Sequence, residues 1–439
     1  MSILAGITGV SHQAVAAVLS ADAEGALAEQ VQSKLQTIGQ SLDTAGARLE
    51  NLLDVSAAFD AVGVEDASTR KLARVMMAQA LANMDMSEEL AVSETAGIES
   101  EGSDVGLEAF STIKEYAIKA IEWIQKKWKE FKTFVSKYFN KFFGDVERLK
   151  KSWMKILESA KEYQAGHSLE KNAKHEFEKG SDAFFKEDSV VAAGDLAEGV
   201  RQYLALAEII KEKTLGYDVI ELEPSALLTD AGAMKSGVSF TNEMKLSAVV
   251  NQLEVIAKET VSNKAPVKFV KDGSKQSAAF LGRVRFYICK AGDKAYSGLE
   301  GLKAFRFGFG DLTEDQKSKT KVKMDLATAS TIEVIADANI ELLDSLINIK
   351  RNKALDKAEA KIDKASKALD KWKKDAPDAD ESADKRTAYR EGVKIVTEYF
   401  SVCRRLLITL PLEFCNQAKM ISTMQKDFAN KSLSAHSKD

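Results

Sequence analysis

The residues best equipped for bond-making chemistry are three cysteines and four histidines, and their spacing supports neither a nucleophilic centre nor a metal site. A nucleophile needs a base within reach and a further group to orient that base. A zinc site needs Cys or His ligands in close pairs. Cys289, Cys403 and Cys415 stand apart, and no Cys or His pair falls at ligand spacing. His175-Glu176 opens like a metalloprotease helix, but Lys179 occupies the place of the second histidine. Gly298, Gly301, Gly308 and Gly310 form no phosphate loop, because no Gly-Lys-Ser/Thr or strand–helix context accompanies them. The carboxylates are many, but they are spread over helix faces as solvated charge. The expectation is a protein with no enzymatic activity, no cofactor and no metal. The cysteines read as reduced core residues: Cys403 and Cys415 are separated by roughly 18 Å of helix, too far for a disulfide.

The chemistry that the residues do favour is non-covalent. Over residues 113–157, apolar side chains recur at steps of three and four: Ala117, Ile121, Ile124, Trp128, Phe131, Val135, Tyr138, Phe142, Val146, Leu149, Trp153 and Ile156. That spacing predicts one face of a helix. Lys126, Lys127, Lys129, Lys132, Lys137 and Lys141 fall between them, and residues 110–157 carry a net charge of +7. Three readings fit this basic, aromatic-rich helix. It is a core helix with a solvated lysine face; or it lies on an anionic membrane surface; or its lysines meet nucleic-acid phosphate without reading bases. Gly144 is a candidate kink.

The elements that must position this helix are themselves helical. Only four prolines, Pro224, Pro266, Pro377 and Pro411, interrupt 439 residues rich in Ala, Lys, Glu and Leu. The fold class is mainly α: long helices and an antiparallel helical hairpin, with a less regular middle region that has room for a few short strands. Residues 1–84 read as an acidic helical leader, with helices at 14–20, 26–37, 41–59 and 70–84. Residues 85–109 read as a flexible acidic linker, 110–160 as the basic helix, and 161–320 as a mixed helical middle with helices at 190–211 and 241–259. Within that middle, 267–270 and 283–290 have strand composition, and a helix also fits the second. Residues 321–430 form a long hairpin or coiled coil. A single helix at 322–374 carries Leu355, Ala358, Ile362, Ala365, Leu369 and Trp372, and a return helix at 386–410 carries Val393, Val396, Phe400, Cys403 and Leu407. Residues 431–439 read as a disordered tail. No apolar run is long enough for a membrane-spanning helix, and the uncharged first residues lack the basic start of a secretory signal.

Charge divides the chain sharply. Residues 1–109 contain 17 Asp and Glu but 5 Lys and Arg, a sum of −12, so the remainder carries +8. From Val75 to Ile113 there is no basic residue, and aromatics and lysines then arrive together from Phe110.

This order resembles the internal head proteins, also called core or inner-body proteins, of large tailed bacteriophages: an acidic alanine-rich leader, a Ser/Glu linker, then GLEAFSTIKEYAIKAIEWIQKKWKEFKTFVSKYFNKFF. The likeness is carried by residues 85–157. It implies a structural protein of the phage head interior, made and assembled in the host cytoplasm with other head core and capsid proteins. It also implies a prohead protease that cuts after Glu in a small-residue–x–Glu site, removal of the leader as a propeptide, association of the rest with packaged DNA, and possible ejection into the host. Three sites in the 85–109 linker match: Gly106-Leu107-Glu108, Gly97-Ile98-Glu99 and Ser87-Glu88-Glu89. The bond from Glu108 to Ala109 is favoured because it lies at the charge junction, with Glu99–Ser100 second. Two other functions compete: a membrane-active, pore-forming protein that uses 113–157 at an anionic membrane, and a coiled-coil scaffold that uses the hairpin.

Overall fold

The computed structural model describes residues 37–54, 57, 105–178, 181–186, 189–210, 274–276, 279–289, 306–311, 321–374 and 382–438. Most of these residues are helical, and the strands are short and antiparallel. The chain divides into two compact units, Met1–Asn140 and Lys141–Asp439. This border differs from the one expected at 109. The change of charge sign near 109 falls within the first unit.

In the first unit, helix α1 covers residues 37–54. Leu42, Ala45, Leu49, Leu52 and Leu53 are buried, at spacings that place them on one side. The helices expected at 14–20 and 70–84 lie outside the described residues. Helix α2, Val105–Tyr163, runs for 59 residues without proline. It starts earlier than expected, so residues 105–109 belong to it and not to a linker. Leu107, Phe110 and Ile113 already follow the three-to-four step that leads to Ala117. Gly144 does not divide the helix. A Cβ there would meet nothing within 4 Å, so the position is open on its outer side.

The second unit surrounds the later part of α2. Strand β1 (His167–Leu169) and β2 (Lys174–Phe177) follow it, then a 3-10 turn Ser181–Phe184, β3 (Phe185–Lys186) and β4 (Ser189–Val190). Helix α3, Leu196–Ile209, is shorter than the 190–211 expected, since its first residues are taken by β4 and a 3-10 turn. Strands β5 (Ser274–Gln276), β6 (Val284–Cys289) and β7 (Arg306–Asp311) form one antiparallel sheet. β6 matches the strand composition seen at 283–290, whereas 241–259 and 267–270 lie outside the described residues. The turn before β6 is fixed by the Tyr203 hydroxyl, which donates to the Leu281 carbonyl at 2.6 Å. Gly199 permits this approach: a Cβ there would stand 2.3 Å from Leu281 Cδ1. Arg283, with φ of 57°, is buried and stacks its guanidinium 4.0 Å from the Phe185 ring centroid.

The single helix expected at 322–374 is corrected to three elements. β8, Val322–Asp325, pairs with β2, and its residues alternate buried and exposed. Helix α4, Ala329–Arg351, begins at Thr328, whose side chain accepts from the Thr331 N–H at 3.3 Å, satisfying one of the donors that a helix start leaves unpaired. Lys353 then takes φ of 50°, outside the helical region, and α5, Ala354–Lys374, starts anew. Helix α6, Ala383–Arg404, packs against α5. Leu355, Ala358, Ile362 and Leu369 are buried on α5, and Val393, Phe400 and Cys403 on α6.

The chain then widens into a π-turn, Arg405–Thr409, before helix α7, Leu410–Ser434. Pro411 explains the widening. It has no N–H to offer the fourth carbonyl back, and its ring would clash there, so the wider turn lets the helix pass through. The expected tail at 431–439 is also corrected: α7 runs to Ser434, and β9, His436–Lys438, pairs with β1. Three polar residues gave no periodic signal, and the ribbon is held by partners distant in sequence. Glu170 N–H donates to the Ala435 carbonyl at 3.0 Å, and the Tyr163 ring stacks on His167 at 4.4 Å.

Candidate polyanion interface and processing segment

Helix α2 sorts its residues into two environments. Ile121, Ile124, Trp128, Phe131, Val135, Tyr138, Phe142 and Trp153 are all buried. Lys126, Lys129, Lys137 and Lys141 are exposed, and Lys127 and Lys132 are half-buried. Lys126, Lys129 and Lys137 fall at steps that bring them to one side of the helix, with Thr133 between the last two. Lys127 is drawn back by Glu130, 2.8 Å away, and stands 5.7 Å from the Trp123 ring. In the second unit, Lys141, Arg148, Lys151 and Lys155 are exposed at the same kind of spacing. The last three lie beyond the aromatic-rich turns that mark the helix as basic and amphipathic. Continuing the three-to-four step on the polar side would have found them.

What the later part of α2 rests on is specific. Burial raises the Asp145 carboxyl, but Lys419 at 2.7 Å and the neighbouring Arg148 outweigh burial and hold it below the usual carboxylate range. Trp153 Nε1 donates to Ser422 Oγ at 2.9 Å, inside the core. Lys150 pairs with Asp344 at 2.6 Å, and Lys161 with Glu333 at 3.7 Å, which orders α4 antiparallel to α2. Behind them, Asn339 Nδ2 donates to Gln425 Oε1 at 2.9 Å between α4 and α7. These bonds fix α2 in the second unit while its lysine and arginine side remains in solvent. A row of ammonium and guanidinium groups with no base-reading motif can neutralise phosphate or anionic lipid, but it carries no sequence information.

The cleavage candidates separate. Glu108 and Ala109 lie inside α2, near its start; Glu89, Glu99 and Ser100 lie outside the described residues. Elsewhere, the arrangement offers little for covalent chemistry. His175 and Glu176 lie on strand β2 and not on a helix. Cys403 and Cys415 are buried thiols outside any disulfide, and burial pushes the Cys415 thiol far up, away from the thiolate form that reacts. Among the described residues, no cluster of three or more His, Cys, Asp or Glu could hold a metal ion, and no helix is long and apolar enough to cross a membrane.

A sequence profile of the phiKZ-like phage internal head proteins matches residues 14–407. The chain belongs to this family. It is therefore a structural protein of the phage head interior, and membership of a structural family speaks against an enzymatic role. The match begins in the acidic leader and ends in the π-turn, so both charge regions belong to the family's pattern. No curated protein and no solved structure is significantly similar to the chain.

Proposed function

We propose that this internal head protein is assembled with its acidic leader in place, is cut by the prohead protease, and then lies against packaged DNA through the cationic side of α2. The observation that carries the reading is the charge partition, −12 in residues 1–109 against +8 in the rest. Assembly takes place in the host cytoplasm among other head core and capsid proteins, where the leader lowers the positive field of the body. Its removal leaves a net cation suited to a compartment filled with polyanion. The solvent-facing lysines of α2 supply phosphate contacts that hold position without sequence preference. Ejection of the mature part with the DNA is compatible with this electrostatic, salt-sensitive attachment.

The start of α2 at Val105 reverses the preference between the two cleavage bonds. A protease needs extended chain, and the Glu108–Ala109 bond must first fray out of the helix, whereas Glu99–Ser100 precedes it. A body site of the same pattern, Ser168-Leu169-Glu170, is held in the β1–β9 ribbon and its turn, which favours its survival.

Mass spectrometry of purified particles tests the processing: the expected N-terminus is Ser100, with Ala109 second. An intact chain starting at Met1 or Ser2 overturns it. DNA association is tested with the triple variant Lys126→Ala, Lys129→Ala, Lys137→Ala. Each lost phosphate contact lowers the slope of log affinity against log salt by about 0.9; an unchanged slope removes this face from the interface.

A further inference from the structure

The first compact unit contains two things: residues 1–104, and α2 from Val105 to Asn140. Within it, Ile121, Ile124, Trp128, Phe131 and Val135 are 0–3% exposed. A helix cannot bury its own ridge, so another segment of chain lies on this one. Helix α1 has the matching need: Leu42, Leu49, Leu52 and Leu53 are 0–4% exposed. It belongs to the same unit, and it comes from the part of the chain whose negative charge complements the lysines beside that ridge. We infer that α1 is a removable cover over the aromatic ridge of α2, and that the ridge it hides fits an anionic lipid surface.

The choice of partner follows from what flanks the ridge. Lys126, Lys129 and Lys137 are exposed, and Lys127 and Lys132 half-exposed, around Trp128, Phe131 and Tyr138. Two such ridges brought together from two copies would oppose lysine to lysine. An anionic bilayer surface accepts both parts: aromatic and aliphatic groups enter the headgroup boundary while lysines meet lipid phosphate. While α1 is in place, the full chain is kept from membranes. Release of the cover on cutting rests on the processing proposed above; the cover itself does not.

The test uses the full chain and the double variant Leu49→Asp, Leu52→Asp, with vesicles of phosphatidylglycerol or phosphatidylcholine. The parent chain should stay in solution with both. In the variant, amides of residues 117–139 should exchange roughly ten-fold faster or more, amides of 141–163 and 410–434 should be unchanged, and the protein should sediment with phosphatidylglycerol vesicles only. Unchanged exchange at 117–139 overturns α1 as the cover. Faster exchange with no vesicle binding, or with self-association instead, overturns the lipid partner. If the variant fails to fold, carboxyl–amine crosslinking of the parent decides: links from Asp43, Glu50 or Asp54 to lysines between 114 and 137 support the cover, and their absence overturns it. A site-specific protease sequence inserted between residues 99 and 100 completes the test. Cutting should raise exchange at 117–139, and a leader that stays bound after cutting overturns release while leaving the virion N-terminus as a separate question.

Discussion

The two parts of α2 share one periodicity and differ in how they are held. From Lys141 onward, the helix is pinned by named polar partners in α4 and α7: Asp145 to Lys419, Lys150 to Asp344, Trp153 to Ser422. From Tyr116 to Asn140, the signature is an aromatic and aliphatic ridge withdrawn from water beside a lysine-bearing side. Apolar burial is strong but non-directional, whereas a buried hydrogen bond also sets position. The later part is thus set in register by buried polar bonds, and the earlier part is the one whose covering is proposed above to be removable.

The sharpest way to break that contrast is Trp153→Ala. It empties the space of a fully buried ring and leaves Ser422 Oγ without its donor, so a loss of about 3–5 kcal/mol is expected, read by chemical denaturation. A loss below that range would mean that the second unit does not depend on this anchor. Asp145→Ala should cost about 1–3 kcal/mol by stranding Lys419. Asp145 also gives the contrast a pH signature. Its folded pKa lies below the unfolded one, so its stabilisation is present above about pH 4 and disappears as pH falls through the depressed folded value. Asp145→Asn should flatten the acid limb of stability against pH; a slope identical to the parent's would show that the pair is not formed in solution. Thr328→Ala removes the α4 cap and should cost about 1 kcal/mol. Gly144→Ala acts in the opposite direction. The site is helical with room for a Cβ, so a gain of up to about 1 kcal/mol is expected, and a loss would reveal a neighbour at that position. Lys150→Ala, at a partly exposed pair, should cost about 0.2–1 kcal/mol, seen best as a small shift in denaturation midpoint.

The legibility of the sequence followed the length over which a pattern repeats. The ridge of α2 was visible because a dozen residues keep the same step, and all of its singled-out members are buried. The strand at β6 was visible through β-branched and aromatic content alone. β8 was hidden because four residues, Val322–Asp325, sit against a helical run, although their strict alternation was a usable signal. The break at Lys353 carried no Gly or Pro and was invisible to propensity. β9 depends on β1, hundreds of residues away, so no local reading could find it. Charge reported composition but not packing: the sign changes near 109, while α1 and the first part of α2 fall in one unit. The cationic row from Arg148 to Lys155 keeps the same three-to-four step as the earlier lysines and was legible from spacing alone, although fewer aromatic residues flank it.

Gly144 has a mechanical consequence. In a proline-free 59-residue helix, it is a half-buried point where about 1 kcal/mol of helix-forming tendency is missing relative to alanine and where no atom within 4 Å of a Cβ demands the omission. If the helix is pulled or compressed along its axis, unwinding should begin at that turn, at a lower load than in the turns on either side.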